Sequence, residues 1–276
     1  MGLFSKLFGS HSPPPRDVAA LLASHSKPGV RLAPSERETG SWLGGRPALP
    51  QGCAWPCRQG RPLAFLAQLD LAALAQACEL DWLPGSGSLA FFYDTVEQPW
   101  GYDPAHASGW HVEFVAEPAG PLDPPAGAAP PPCFEQRWLA PQRVLLLPDL
   151  DPQEYNELEF SDRELDQIGE LEEAMFEHGP QHHVGGHPSP VQTNTMELES
   201  QLVSHGIDLD TLTSLDDPRA QHLAAGAQEW RLLLQLDSDP DLDWSWGEGG
   251  RLYFWVRASE AREGDFQGVW MILQST

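Results

Sequence analysis

The chain has 276 residues, 41% of them hydrophobic, with 11 Trp and 11 Phe, ample apolar material for a packed core. Asp and Glu total 40 against 16 Lys and Arg, and the resulting net charge of -24 repels nucleic acid while attracting a basic partner. No run of about 18 apolar residues exists to cross a bilayer, so stable membrane insertion is not expected.

The opening "MGLFSKLFGSHSPPPR" lacks the apolar h-region of a secretory signal, which predicts a cytoplasmic protein with Cys53, Cys57, Cys78 and Cys133 reduced. After Pro13-Pro14-Pro15, Asp17 can cap a short helix reaching about His25. Gly44, Gly45, Pro47, Pro50 and Pro56 then predict an ordered loop without regular structure. Residues 63–69 read as a buried strand and residues 71–77 as a helix. A turn at Leu83-Pro84-Gly85 leads to strands over residues 89–93 and 111–116.

Residues 117–132 are almost entirely Pro, Ala and Gly and predict an extended connection. A short strand over residues 143–147 precedes an acid belt running from Asp149 to Glu177. Inside the belt, Ser161 and Glu164 form a capping box for an amphipathic helix whose acidic face carries Glu170, Glu172 and Glu173. Helices near 196–205 and 218–224 follow, then strands over 231–236, 252–257 and 268–274.

Three words recur in the same order. "LGGRPALPQ" (43–51) returns as "VGGHPSPVQ" (184–192), "FLAQLD" (65–70) as "LLLQLD" (232–237), and "SGSLAFFY" (86–93) as "GGRLYFWV" (249–256). Glycines open conformations closed to other residues, and a Gln and an Asp near a strand end can satisfy loop amides, so the recurrence predicts a duplicated strand-and-loop unit. The expected fold is α+β and β-rich, with two pseudo-symmetric repeat units of mostly antiparallel sheet and peripheral helices. The units fall at residues 34–132, including the Pro-rich connection, and 133–276, including the acidic helix. Residues 1–33 form a tail and short helix, and the whole is one compact domain. These words, with "WGEGGRLYFWV" and "LPGSGSLAFFYD", resemble the YwqG-like family of bacterial proteins over about residues 34–274. The resemblance implies the same β-rich, internally repeated fold. It brings no established reaction and no catalytic residues.

The strongest metal candidate is "DSDPDLDWSWGE", in which Asp237, Asp239, Asp241, Asp243 and Glu248 occupy positions 1, 3, 5, 7 and 12 of a calcium loop, suited to Ca²⁺ or Mg²⁺. Leu242 stands where that loop needs Gly, and the flanks read as strands, so a solvated acidic turn is the competing reading. His178, His182, His183 and His187 form a second cluster, but the glycines and Pro180 among them break any helix that would align imidazoles for zinc. No nucleophile elbow, P-loop or dinucleotide fingerprint is present. The favoured expectation is therefore a non-enzymatic interaction protein, of the immunity type, whose acidic surface binds a basic partner. The alternative is a small-ligand or metal-dependent module with a cleft between the repeats. That cleft would be built from Arg46, Gln51, Gln68, Asp70, His187, Gln192, Gln235 and Asp237.

Overall fold

The computed structural model describes residues 16–23, 25–117, 119–125, 131–149, 160–212, 214 and 217–276. Helix α1 (Val18–Ala23) begins where the Asp17 carboxylate accepts the Ala20 N–H at 3.1 Å. The chain then enters β1 (Lys27–Ser35), followed by the two-residue strands β2 (Trp42–Leu43), β3 (Ala48–Leu49), β4 (Cys57–Arg58) and β5 (Arg61–Pro62). The apolar run β6 (Ala64–Asp70) ends at Asp70, whose carboxylate caps α2 (Leu71–Ala77) by accepting the Ala72 and Ala73 N–H groups. Next come β7 (Ser88–Tyr93), β8 (Trp110–Val115), β9 (Gly120–Pro121) and the ten-residue β10 (Arg137–Leu146). The acidic helix is α3 (Asp162–Met175), started by the expected Ser161–Glu164 capping box. After it lie β11 (His183–Gly185), α4 (Met196–Ser204), α5 (Pro218–Leu223), β12 (Trp230–Asp237), β13 (Arg251–Arg257), α6 (Ala258–Arg262) and β14 (Trp270–Gln274).

The large sheet has ten antiparallel strands in the order β14-β13-β12-β11-β1-β10-β2-β6-β7-β8. It curls until its two edges meet and is nearly closed into a barrel. Trp110 of β8 stands edge-on to Trp270 of β14, ring centroids 5.0 Å apart, and its indole N–H donates to the Val269 carbonyl at 2.9 Å. Across the interior, Phe91 and Phe254 pack edge-to-face at 5.3 Å. Tyr93 and Trp246, ring centroids 5.9 Å apart, are fully buried in the same core, and each such side chain removes enough apolar surface from water to contribute about 2–3 kcal/mol.

Two strands go beyond the sequence reading. β1 was not expected, and β10 is twice the length of the short strand predicted there. Together they form the longest ladder of the sheet, nine residue pairs from Lys27↔Leu146 to Ser35↔Trp138. Helix α3 packs through Ile168 on Val18 and Leu22 of α1, and Arg16 pairs with Glu164 at 2.7 Å. Its Glu170 and Glu173 are exposed. Asp151, Glu154, Glu157 and Glu159 of the acid belt, the side chain of Glu172, and the Leu/Phe-rich turn near the start of the chain lie outside the described residues. Among the described residues, no helix is long and apolar enough to cross a membrane.

Candidate binding cleft

The repeated polar residues hold backbone. Gln68, buried on β6, accepts the Ala48 N–H at 2.7 Å and donates to the Ala48 carbonyl at 3.0 Å. Gln235, buried on β12, accepts the Ser189 N–H at 2.9 Å and donates to the Gln181 carbonyl at 2.9 Å. Both secured loops follow a Gly-Gly pair with positive φ, Gly44 (62°) and Gly45 (69°), Gly185 (67°) and Gly186 (73°), a backbone that favours glycine. Asp237 accepts the Gln181 N–H at 3.0 Å and pairs with Arg251 at 3.1 Å, while Asp70 is the cap of α2. The Gln192 side chain donates to the Ser275 carbonyl, and the His187 ring bonds the His25 carbonyl at 2.8 Å. Arg46 meets Asp123 at 2.8 Å on the surface, and Gln51 is exposed. The eight residues are thus spread along the two loops and their anchors.

In the acidic loop Asp237, Asp239 and Asp241 each turn to a different partner. Asp239 sits 3.4 Å from the ring Nε2 of buried His182, whose Nδ1 accepts the Asp237 N–H at 3.1 Å. Burial works against ionisation of Asp239, yet the bond to His182 helps hold its carboxyl below the usual range. Asp241 pairs with Arg137 at 3.1 Å, and Asp243 adopts a left-handed backbone (φ 54°) at the end of a 3₁₀ turn spanning Pro240–Leu242. Among the described residues, no three His, Cys, Asp or Glu side chains form a group that could hold a metal ion.

A different concavity, of about 750 Å³, opens on the half of the sheet that holds β12 and β13. Its walls come from the start of β1, the loop after α2, the Gly185–Gly186 turn, Glu197 of α4 and the turn that leads into β12. Three buried indoles, Trp82, Trp230 and Trp255, are among its lining residues. Trp230 donates its N–H to Gln201 at 2.9 Å, and the Arg257 guanidinium lies 4.4 Å over its ring. The buried indole N–H of Trp255 has no hydrogen-bond partner among the described residues.

Glu79, Asp81 and Glu197 bring three carboxylates to this cleft, and Lys27 and Arg231 bring two cations. The Arg231 guanidinium is engaged by the Gln228 and Trp230 carbonyls at 2.7 and 2.8 Å. Burial raises the pKa of Glu197, the effect that dominates over its own backbone bond and the nearby Lys27 and Arg231.

Comparison with known families places residues 41–275 in a single match, the domain of unknown function DUF1963. The chain belongs to the DUF1963 family. No curated protein matches the chain. The family carries no reaction with it, so the chemistry of this DUF1963 member rests on its own side chains.

A second concavity of about 580 Å³ contains Cys53, Cys57, His111 and Glu113. His111 Nε2 and Glu113 Oε2 are 2.8 Å apart, but no hydrogen bond joins Cys53 to His111 among the described residues. Burial, aided by Glu113, pushes the Cys53 thiol up, and a thiol held protonated is in the wrong state for a nucleophile.

Sequence reasoning missed the first cleft altogether. Trp230 and Trp255 stand inside apolar strand runs and read as core, while Trp82 and Glu197 sit far away in the chain. The only available signal was the density of Trp itself.

Proposed function

We propose that the protein is a non-enzymatic binding module whose acidic surface receives a basic protein partner. The observation that supports this reading is the charge balance: among the described residues ten arginines are paired with carboxylates of the same chain, and the chain still carries 24 more acids than bases. The excess of 40 Asp and Glu over 16 Lys and Arg leaves the surface field strongly negative, with Glu170 and Glu173 exposed on α3. Such a field accelerates and orients encounter with a positive surface. The test is calorimetric titration with a lysine-rich peptide and with its glutamine-substituted counterpart. Binding of the basic peptide alone, weakening as salt shortens the screening length from about 14 Å to about 4 Å, supports the reading. Equal binding of both peptides, or of neither, contradicts it.

We also infer a duplicated architecture, YwqG-like within the family. β1, β2, β6, β7 and β8 would form one copy, and β10, β11, β12, β13 and β14 the other. Three features support it. The copies run outward from the centre in the same strand order, each lending its first strand to the other half, since β1 pairs with β11 and β10 with β2. The β6–β7 ladder shifts register between Phe65 and Ala67, and the β12–β13 ladder between Leu232 and Leu234, the same step of the repeated word. Gln68 and Gln235 fasten loops at matching positions, Ala48 and Ser189.

The small-ligand alternative has less behind it. Its eight residues are mainly engaged in holding backbone, and no metal-ligating group accompanies them among the described residues.

A further inference from the structure

The proposed duplication sets each residue of a repeated word against its counterpart, and one exchange changes the chemistry. Asp237 pairs with Arg251 at 3.1 Å, and the same guanidinium donates to the Ser189 carbonyl at 2.7 Å. The Tyr253 hydroxyl is a second donor to that carbonyl, also at 2.7 Å. In the first copy the aspartate is Asp70, the carbonyl belongs to Ala48, and Ser88 and Ala90 replace Arg251 and Tyr253. The strand registers agree, since Asp70 lies opposite Ser88 as Asp237 lies opposite Arg251. The anchoring bonds agree too: the Asp70 N–H donates to the Ser41 hydroxyl as the Asp237 N–H donates to His182. The first copy thus keeps the aspartate and the carbonyl without the guanidinium. Beside them is a cavity of about 330 Å³, whose lining includes Gly40, Trp42, Ala48, Asp70, Ser88 and Glu117. One oxygen of Asp70, Oδ1, accepts the Ala72 and Ala73 N–H groups, while Oδ2 lies against Gly40. Among the described residues, no cationic side chain lines this cavity.

Resting on the reading of the two halves as duplicated, we infer that this cavity is a binding site for an alkylguanidinium group, free in a small molecule or carried by an arginine. Its N–H groups would meet the Asp70 carboxylate and the Ala48 carbonyl, as the Arg251 guanidinium meets Asp237 and the Ser189 carbonyl. The Ala48 carbonyl takes the Gln68 amide at 3.0 Å, and its second lone pair suits a further donor. A planar fork serves both acceptors at once, whereas an ammonium is a compact point charge. Trp42 puts an indole in the same cavity, a surface on which guanidinium stacks. An anion would face Asp70 and Glu117, and these two carboxylates are too few for a calcium ion, which takes about six to eight oxygens. Gln68 stays a holder of the loop, and the site lies within one copy, apart from any cleft between the repeats.

The experiment is calorimetric titration of the full chain with ethylguanidinium and ethylammonium at low millimolar concentration. Ethylguanidinium should bind saturably and at least about tenfold more tightly than ethylammonium. Asp70→Asn removes the charge but keeps a residue that caps α2 well, and it should weaken binding at least about tenfold. Ser88→Arg supplies the guanidinium from within and should abolish binding. Absence of saturable binding, binding that both variants leave intact, or equal binding of ethylammonium would overturn the assignment. A crystal structure of Ser88→Arg separates this inference from the duplication on which it rests. An arginine seated on Asp70, in a protein whose parent ignores ethylguanidinium, would leave the duplication standing and remove the site. An arginine turned away from Asp70 would remove the correspondence of the two copies itself. Arginine blocked at both ends, binding as tightly as ethylguanidinium, would assign the group to a protein partner; its exclusion while ethylguanidinium binds would assign a free guanidino compound.

Discussion

Gln68 and Gln235 each grip a loop that begins with two glycines in left-handed conformation, accepting the N–H of Ala48 at 2.7 Å and of Ser189 at 2.9 Å. Both side chains are buried, and both spend their amide N–H on a carbonyl as well. Neither glutamine is left with capacity directed at a ligand; their role is to fix the chain beside the sheet.

Gln68→Ala and Gln235→Ala should therefore each destabilise the protein by about 1–3 kcal/mol, because a buried amide loses its acceptor and a carbonyl its donor. The check is the shift of the urea midpoint at unchanged slope. A variant within error of the parent at either position would show that water replaces the side chain without cost.

His183 makes stability depend on pH. Burial, first of all, lowers its pKa from 6.5 to about 4, partly opposed by the bond to the Gly185 carbonyl. The unfolded ring takes up its proton near 6.5, while the folded ring resists until about 4, so stability is full above 6.5 and drains as pH falls through this window. The loss approaches about 3 kcal/mol at the acid end. His183→Asn should flatten the dependence of unfolding free energy on pH between these limits. An unchanged slope would assign the acid sensitivity to other groups.

Much of the architecture could be read from local pattern. The apolar runs of β6, β7, β12 and β13 and the capping box of α3 are signals written within a few residues. β1 was illegible because Pro28, Gly29 and Pro34 imitate a loop. The strand tolerates them since β11 pairs only with Gly29, Val30 and Arg31, leaving both prolines where a single neighbour makes the ladder. That pairing joins residues more than 100 positions apart and has no local signature. The cleft was hidden for the same reason, since its indoles and carboxylates are gathered from four separate segments. Gln68 and Gln235 were visible through repetition, but repetition could not distinguish holding a loop from binding a ligand.

The acidic loop gives a direct check on the metal expectation. Asp239 is committed to His182, Asp237 to Arg251 and Asp241 to Arg137. Millimolar Ca²⁺ or Mg²⁺ should therefore leave the melting temperature where a chelator leaves it, because nothing binds the folded state preferentially. Asp239→Asn should lower the melting temperature in either condition by weakening the buried contact to His182. A rise with the cation that Asp239→Asn abolishes would restore the loop as a metal site.

The central claim is that charge directs a basic partner to this protein, and the association rate of the lysine-rich peptide at increasing ionic strength tests it most directly. The account predicts a rate that falls steeply as salt screens the field, and a slower rate at every low-salt point when Glu170, Glu172 and Glu173 are all changed to Gln. A rate indifferent to both salt and the triple substitution would contradict it.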